Sequence, residues 1–510
     1  MRVGERAAAS GKNLRAALVG QLLTVIVNLI SRRIFIKLLG SEYMGLSGLC
    51  GHLLNFLSLL EPGFDGACAF ALYRPLAFGD SVQASQICAF LRKVYYRISF
   101  VTLVAGLCLT PLALSLSGDN IHRERIVLIW VLSVADMSLS YLFSHRRVLP
   151  VSDQKAYVVT TNGYIFFIVG QALRLFALVA YRSFLSYLLA GIIAGIFEEL
   201  TLYLRVKRMY PLLAYARYPL AASEKSVIYG QVKSLFFTKL GGIVTGSVDN
   251  MAVFTFLGLS AGAMYSNYTM LSGICLSFIG IMTSSVGASV GNLGAVNAEK
   301  RMERVFSVVF FAVFFISGFL SSALYFTYPV IVRLWMGQEM VLGGVETALF
   351  CVSMFVSAVR RPLGVFIDGC GLFAKEKHKA LVEAVLGCII TFLLSPKIGI
   401  SGVLIGQIAG AAAFSVWYEP YILYKYGFRC SLSRFLRDAL RYVLALCFAF
   451  FLSGVMCNFC GDTGAQGLLV RILLCAVAFV SVFGILFFDS AILREAMVYI
   501  RKIFLLAKKV

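Results

Sequence analysis

The sequence predicts an all-α polytopic membrane protein with about 14 transmembrane helices, and three observations support this fold class. Hydrophobic residues make up 60 % of the 510 residues and charged residues only 14 %, whereas a soluble domain carries about 25 % charged residues. Apolar segments of about 20 residues, the length of a helix that crosses a bilayer, recur from end to end. Lys and Arg gather in alternate loops. A soluble fold could not bury this much apolar surface, so lipid must be the solvent.

The apolar segments are separated by short loops, and we expect no extramembrane domain between them. The predicted spans lie near residues 14–38, 46–77, 92–116, 124–146, 157–180, 184–206, 226–256, 262–293, 304–328, 347–373, 380–397, 401–424, 437–457 and 467–488.

Basic residues predict the direction of these spans. One side holds the basic loops near 92–93, 146–155, 205–225, 300–304, 375–379 and 425–434, and both chain ends. The opposite side holds little beyond Arg123, Arg125, Arg182, Arg333 and Lys397. Because Lys and Arg mark cytoplasmic loops, we predict a multi-pass protein of the plasma membrane with both termini in the cytoplasm. The same bias explains the net charge of +21, and we expect no nucleic-acid partner.

A repeat at half-length predicts the domain organisation. Gly20-Gln21 of the first span recurs as Gly230-Gln231 of the seventh, and Leu39-Gly40 recurs as Leu257-Gly258. Six spans (1–206), a basic cytoplasmic linker (207–225) and six more spans (226–425) predict two six-helix lobes around a central cavity. The last two spans and a basic cytoplasmic tail form 426–510. Chance similarity between two apolar helices is the alternative.

Four cations lie deep in the apolar segments and are the candidate ligands of an anionic substrate. They are Arg32, Lys239, Arg360 and Arg361. A charge at bilayer depth costs a few kcal/mol or more, so it is kept where it faces a watery cavity or a partner. A guanidinium matches phosphate oxygens bidentately, which predicts phosphate or pyrophosphate binding in the cavity. Burial in an ion pair is the alternative for each cation.

Deep carboxylates are candidates for coupling transport to H⁺ or Na⁺, or for neutralising these cations. They are Glu61, Asp65, Asp136 and Asp249. Glu61 and Asp65 lie one turn apart on span two and could pair with Arg32. Arg174 and Glu198 are predicted to form a structural ion pair between adjacent spans.

Several motifs of enzymes and metal sites are absent from the sequence. There is no phosphate-binding loop for ATP hydrolysis and no zinc-protease motif. The cysteines are scattered through apolar segments without metal-site spacing. We therefore predict that the chain is not an enzyme, holds no metal and needs no cofactor beyond a coupling H⁺ or Na⁺.

Five segments resemble a known family. They are Leu39–Leu49, Leu72–Leu76, the stretch from Asp249-Asn250 to Tyr265–Tyr268, Gly399–Gly406 and Trp417–Pro420. Together they resemble the Wzx-type polysaccharide flippases of the multidrug/oligosaccharidyl-lipid/polysaccharide (MOP) exporter superfamily. The resemblance covers nearly the whole chain.

This resemblance implies a fold and a function. It implies two six-helix lobes facing each other as a V, with two helices appended. It also implies flipping of undecaprenyl-pyrophosphate-linked oligosaccharide from the inner to the outer leaflet of a bacterial membrane. The expected partners are the lipid-linked oligosaccharide, membrane lipids, and a polysaccharide polymerase with its glycosyltransferases. By location, Arg32, Lys239 and Arg360 match the cationic cavity residues proposed to hold pyrophosphate in related flippases.

Three alternatives stay open at this stage. A lipid II flippase of peptidoglycan synthesis shares the fold and the chemistry. A cation or drug antiporter of the same superfamily is disfavoured by the deep cations. A membrane glycan polymerase, which is an enzyme, is disfavoured by the short outer loops.

Overall fold

The computed structural model describes residues 3–61, 63–118, 121–153, 155–211, 219–295, 299–372, 375, 379–459, 464–488, 490 and 492–498. Within these ranges every regular element is helical and no strand is present. The helices are α1 Val3–Leu39, α2 Ser41–Leu57, α3 Phe64–Phe78, α4 Ser81–Cys108, α5 Thr110–Leu116, α6 Arg123–Ser152, α7 Ala156–Tyr181, α8 Phe184–Met209, α9 Ala222–Ala295, α10 Glu299–Met336, α11 Gly344–Gly369, α12 Lys379–Ile398, α13 Ile400–Phe428, α14 Leu432–Asn458 and α15 Gly464–Phe487. The predicted all-α polytopic fold class is therefore confirmed.

Every predicted span coincides with one of these helices or with a broken pair. Ten helices among the described residues are long and apolar enough to cross a membrane, or eleven if α4 and α5, bent by 47°, form one span. The remaining predicted spans, 14–38, 226–256 and 262–293, fall in α1 and α9. These two helices contain residues whose side chains are outside the described set.

The chain divides into two compact units, Met1–Ala263 and Met264–Val510. The predicted lobe boundary, at 207–225, lies earlier in the chain. The first part of α9, up to Ala263, therefore belongs to the N-terminal unit. The assignment of spans seven to twelve to one lobe stays a prediction.

In the N-terminal unit, α6 packs against α3, α4 and α8, and α7 packs against α1 and α8. One apolar core surrounds the fully buried Trp130, whose indole N–H donates to the Gly106 carbonyl over 2.9 Å. A second core surrounds the α3–α4 pair and includes the buried Tyr95. These cores hold α2, α3, α6 and α8 against one another, and these helices carry the charged side chains Asp65, Asp136, Arg147, Glu198 and Glu199.

Two glycines of the predicted repeat share one unusual backbone conformation. Gly40, between α1 and α2, has φ 89° and ψ 171°. Gly258, inside α9, has φ 83° and ψ 179° and divides that helix in two. Only glycine adopts this region without strain. The Leu-Gly pairs that recur in the sequence therefore make the same chain break after spans one and seven.

In the C-terminal unit, α10 packs against α11, α14 and α15 through a core rich in phenylalanine. Helices α12 and α13 pack backbone to backbone along a glycine stripe. A Cβ added at Gly402 would lie 2.6 Å from the Leu394 backbone, and one added at Gly406 would lie 2.9 Å from the Gly387 carbonyl. Small residues at four-residue spacing allow this close approach in membrane helices. It brings the acidic residues of α12 and α13 to the same side of α11.

Candidate functional site

The first charged cluster of the N-terminal unit lies where span two breaks. A short 3-10 turn, Ser58–Leu60, ends at Glu61, and Gly63 has φ 88°. The backbone carbonyl of Glu61 accepts a hydrogen bond from Nζ of Lys239, which also binds the Glu61 carboxylate over 2.6 Å. Non-helical backbone at membrane depth must be satisfied inside the protein. Lys239 therefore stabilises the break in span two.

A buried tyrosine joins the two carboxylates at this break. The Tyr95 hydroxyl lies 3.3 Å from Glu61 Oε1 and also contacts the carboxylate of Asp65. The structure thus brings Glu61 and Asp65 of predicted span two together with Lys239 of predicted span seven. The sequence suggested Arg32 as a partner of Glu61. In the structure Glu61 pairs with Lys239. Arg32 itself is partly buried on α1.

A cavity of about 370 Å³ lies between α2, α6 and α8 in the same unit. Its polar wall contains Asp136, Arg147, Glu198 and Glu199. Arg147 Nη2 donates to Glu198 Oε1 over 3.1 Å and to the carboxylate of Glu199. Three carboxyl groups and one arginine therefore line this cavity.

The predicted pair between Arg174 and Glu198 is wrong. Glu198 pairs with Arg147 of α6, while Arg174 lies over the ring of Tyr187 and against Gly191. Helices α7 and α8 run antiparallel, which places Arg174 level with Gly191, about two helical turns from Glu198. Arg174 and Glu198 therefore lie at different depths, whereas the sequence predicts the same depth for both.

The C-terminal unit contains a charge-balanced cluster around Arg360. The guanidinium binds Glu383 bidentately, over 2.7 and 2.9 Å, and binds Glu419 through Nε and Nη2 over 3.1 and 2.7 Å. Lys379 lies 2.8 Å from Glu419, and Ser415 donates to Glu383. The four charged side chains are only 3–20 % exposed. All three nitrogens of Arg360 are engaged, which agrees with the ion-pair alternative.

Arg361, the next residue, has different surroundings. Its guanidinium lies against Gly280 of α9, where an added Cβ would be 2.5 Å from Nη1. Within the described part of the chain, no carboxylate forms an ion pair with it. Arg361 therefore fits an anionic ligand better than Arg360 does in this structure.

Sequence reasoning missed Glu383, Glu419 and Glu199. Each is an acidic residue inside or at the edge of an apolar segment, the same signal that singled out Asp136. Asp249, the remaining acidic candidate, has its side chain outside the described residues. No group of acidic, histidine or cysteine side chains that could hold a metal occurs in the described ranges.

A row of polar contacts leads along α11 to the Arg360 cluster. Glu346 accepts from Ser401 over 2.9 Å, and Ser353 donates to Gln407 over 3.0 Å. Gln407 in turn donates to Tyr265 over 2.7 Å. Positions 346, 353 and 360 are two turns apart on one face of α11, so this face contacts α13 through polar groups along its length.

The fold is similar to that of solved membrane transporters of the MOP superfamily. An inward-facing multidrug resistance MATE family transporter of that superfamily is 14 % identical with a TM-score of 0.67, and the match covers 81 % of this chain and 99 % of that one. The lipid II flippase MurJ in an inward closed conformation is 13 % identical with a TM-score of 0.69, covering 92 % and 98 %. A mutant of the Vibrio cholerae MATE transporter VcmN is 13 % identical with a TM-score of 0.61, covering 83 % and 99 %. No protein-family model matches the sequence, and no curated protein matches it.

Proposed function

We propose that this protein is a flippase that moves an undecaprenyl-pyrophosphate-linked oligosaccharide from the inner to the outer leaflet of a bacterial plasma membrane. The movement occurs by alternating access and serves cell-surface polysaccharide export. The substrate crosses unchanged, so no chemical step is required. Glycosyltransferases act before this step, and a polysaccharide polymerase acts after it.

The share of the chain that each match covers is the observation that carries this proposal. The lipid II flippase accounts for 92 % of this chain, and the two MATE transporters account for 81 % and 83 %. All three are themselves covered almost completely. A flippase therefore accounts for a part of this chain that the MATE transporters leave unmatched.

The deep cations support an anionic headgroup. Arg361 has no ion-pair partner in the described part of the chain. Arg32 lies on a polar stripe that it forms with Gln21, Thr24, Asn28 and Ser31 along span one. A guanidinium on such a stripe offers a pyrophosphate two parallel hydrogen bonds. We assign pyrophosphate binding to Arg361 first, and keep Arg32, Lys239 and Arg360 as further candidates. Lys239 and Arg360 could bind the substrate only if it displaces their carboxylates.

The carboxylates at the break in span two are the proposed coupling site for H⁺ or Na⁺. Glu61 and Asp65 share the hydroxyl of Tyr95, and Lys239 neutralises only one of them. A bound proton or Na⁺ would neutralise Asp65, the other carboxylate. Asp136 and Asp249 are further coupling candidates.

The test is leaflet transfer in proteoliposomes under an imposed H⁺ or Na⁺ gradient. Undecaprenyl-pyrophosphate carriers with a short oligosaccharide are compared with lipid II, and outer-leaflet glycan is detected with a membrane-impermeant lectin. We expect transfer by the wild type, loss in Arg361→Ala, and near-normal transfer in Arg33→Ala, whose side chain is exposed on α1. Transfer of lipid II alone would instead identify a peptidoglycan flippase.

A cation antiporter is the second candidate, and the acidic excess of the cavity between α2, α6 and α8 favours it. An organic dye cation added to the same proteoliposomes distinguishes the two. Gradient-driven dye movement without carrier transfer would reject the flippase.

A further inference from the structure

A cluster of basic and aromatic side chains joins α4, α6 and α8 on the side that the sequence predicts to be cytoplasmic. The guanidinium of Arg146, on α6, lies over the ring of Tyr203 of α8, 4.2 Å from the ring centroid. Nζ of Lys207 lies 5.8 Å from the same centroid. Cation–π attraction holds a guanidinium in such a position. The packing of α6 against α8 therefore places two cations at one aromatic ring.

Helix α4 adds a third cation to this cluster. The ring of Tyr96 meets the ring of His145, the neighbour of Arg146, edge to face with 6.0 Å between the centroids. Arg92, one turn before Tyr96, interacts electrostatically with both His145 and Arg146. In the sequence, Arg92, Arg146 and Lys207 belong to three separate basic segments. Helix packing brings these segments together.

The three cations of the cluster are not neutralised by ion pairs. Within the described part of the chain, none of them lies within ion-pair distance of a carboxylate. Glu199 acts electrostatically on Arg146, but it is buried and already bound to Arg147. Glu198 binds Arg147 as well. The cluster therefore attracts an anion to this part of the surface.

Exposed apolar side chains continue from the cluster along both outer helices. Phe100 and Val104 of α4, and Leu204 and Leu200 of α8, are all exposed. The α4 pair lies two and three turns beyond Arg92, and the α8 pair lies one and two turns from the lysine of the cluster. Side chains at this spacing share one face of a helix. Exposed apolar surface of this kind is typical of contact with a membrane.

An anionic phospholipid has both of the groups that this surface requires. Its phosphodiester accepts parallel hydrogen bonds from a guanidinium, and its acyl chains cover the apolar faces of α4 and α8. A free phosphate leaves those faces uncovered, and a zwitterionic phospholipid adds an ammonium group that the cations repel. Basic pockets between membrane helices on the cytoplasmic side are typical sites for anionic headgroups.

We propose that Arg92, Arg146 and Lys207 bind the headgroup of an anionic phospholipid whose acyl chains lie along α4 and α8. Tyr203 is a positioning residue, because it holds the guanidinium of Arg146. The bound lipid contacts three helices and stabilises the N-terminal unit. This inference is independent of the proposed function, since the site takes a lipid of the surrounding membrane whether the transported substrate is an anion or a cation.

The test is thermal unfolding of the purified full-length protein in a neutral detergent. Dioleoyl-phosphatidylglycerol, dioleoyl-phosphatidylcholine and glycerol phosphate are added in turn. We expect phosphatidylglycerol to raise the unfolding temperature at a lower concentration than phosphatidylcholine, and glycerol phosphate to leave it at the salt-only value. Arg92→Gln and Lys207→Gln, both at exposed positions, should each raise the concentration of phosphatidylglycerol that gives half of the shift by about fivefold, the contribution of one basic residue at an anionic lipid surface.

Arg205→Gln is the matched control, because it removes the same charge from an exposed position of the same helix. Arg205 lies two residues from both Tyr203 and Lys207, so its side chain points to the opposite side of α8. This variant should respond to phosphatidylglycerol like the wild type. Equal weakening in Arg205→Gln and Lys207→Gln would overturn the proposal, since it would indicate diffuse attraction without a site. Equal stabilisation by phosphatidylcholine, or by glycerol phosphate alone, would overturn it too.

Discussion

Two adjacent arginines have different surroundings because neighbouring residues on a helix point about 100° apart. Arg360 faces the acidic residues of α12 and α13, whereas Arg361 faces a glycine of α9. The sequence predicts that both are deep, since that follows from their position in the apolar segment. It does not predict their partners, because these depend on which helices pack against each face of α11.

Substitution of the two arginines should therefore give different defects. Arg360→Ala leaves Glu383 and Glu419 with only Lys379 as a counter-charge. Removing one partner of a buried ion pair costs about 3–5 kcal/mol, so we expect little folded protein and a lower unfolding temperature in detergent. Arg361→Ala should fold normally and fail in transfer. Normal stability of Arg360→Ala would show that its carboxylates are solvated or protonated.

The pairing of Lys239 with Glu61 can be measured by a double-mutant cycle. Lys239→Met and Glu61→Gln should each destabilise the protein, because each leaves a charge near the break in span two without its partner. The double variant should lose less stability than the sum of the two, with a coupling of about 0.5–3 kcal/mol. Unfolding temperatures of the four proteins give the result. Strict additivity would mean that the two side chains do not interact.

At the scale of elements, hydropathy alone places the helices, because each crossing needs a similar length of apolar chain. The Leu-Gly repeat even marks two chain breaks, since Gly40 and Gly258 have the same backbone conformation. The relative depth of residues on neighbouring helices is harder to predict from the sequence. The wrong pairing of Arg174 with Glu198 arose because the position of the α7–α8 turn had to be known within a few residues. The Arg360 cluster likewise depends on how closely α12 approaches α13.

That close approach is testable at Gly406. A Cβ there would lie 2.9 Å from both the Gly387 carbonyl and the Thr391 backbone nitrogen, so Gly406→Ala must push α12 away from α13. Glu383 would move with α12 and loosen its bonds to Arg360. We expect a destabilisation of about 1–3 kcal/mol, typical of overpacking. Gly364→Ala in α11, where an added Cβ meets nothing within 4 Å, is the control and should be neutral or stabilising.

At the scale of the whole molecule, the buried charges of the two units differ in balance. The cluster around Arg360 contains two cations and two carboxylates, so it is neutral. The wall of the cavity between α2, α6 and α8 contains three carboxylates and one arginine. The net charge of +21 therefore lies outside these two groups of residues. Many of the basic residues are in the helix ends and loops that are predicted to face the cytoplasm, as expected if they orient the chain in the membrane.

This origin of the charge makes the orientation of the chain testable, and the direction of flipping depends on it. Gln338, between α10 and α11, is predicted to face outward, and Ser431, between α13 and α14, is predicted to face the cytoplasm; both are exposed. A membrane-impermeant maleimide should label Gln338→Cys in intact cells above the wild-type background. It should label Ser431→Cys only after the membrane is permeabilised. The reverse pattern would place both termini outside, and the basic loops could then no longer face the leaflet in which a lipid-linked oligosaccharide is assembled.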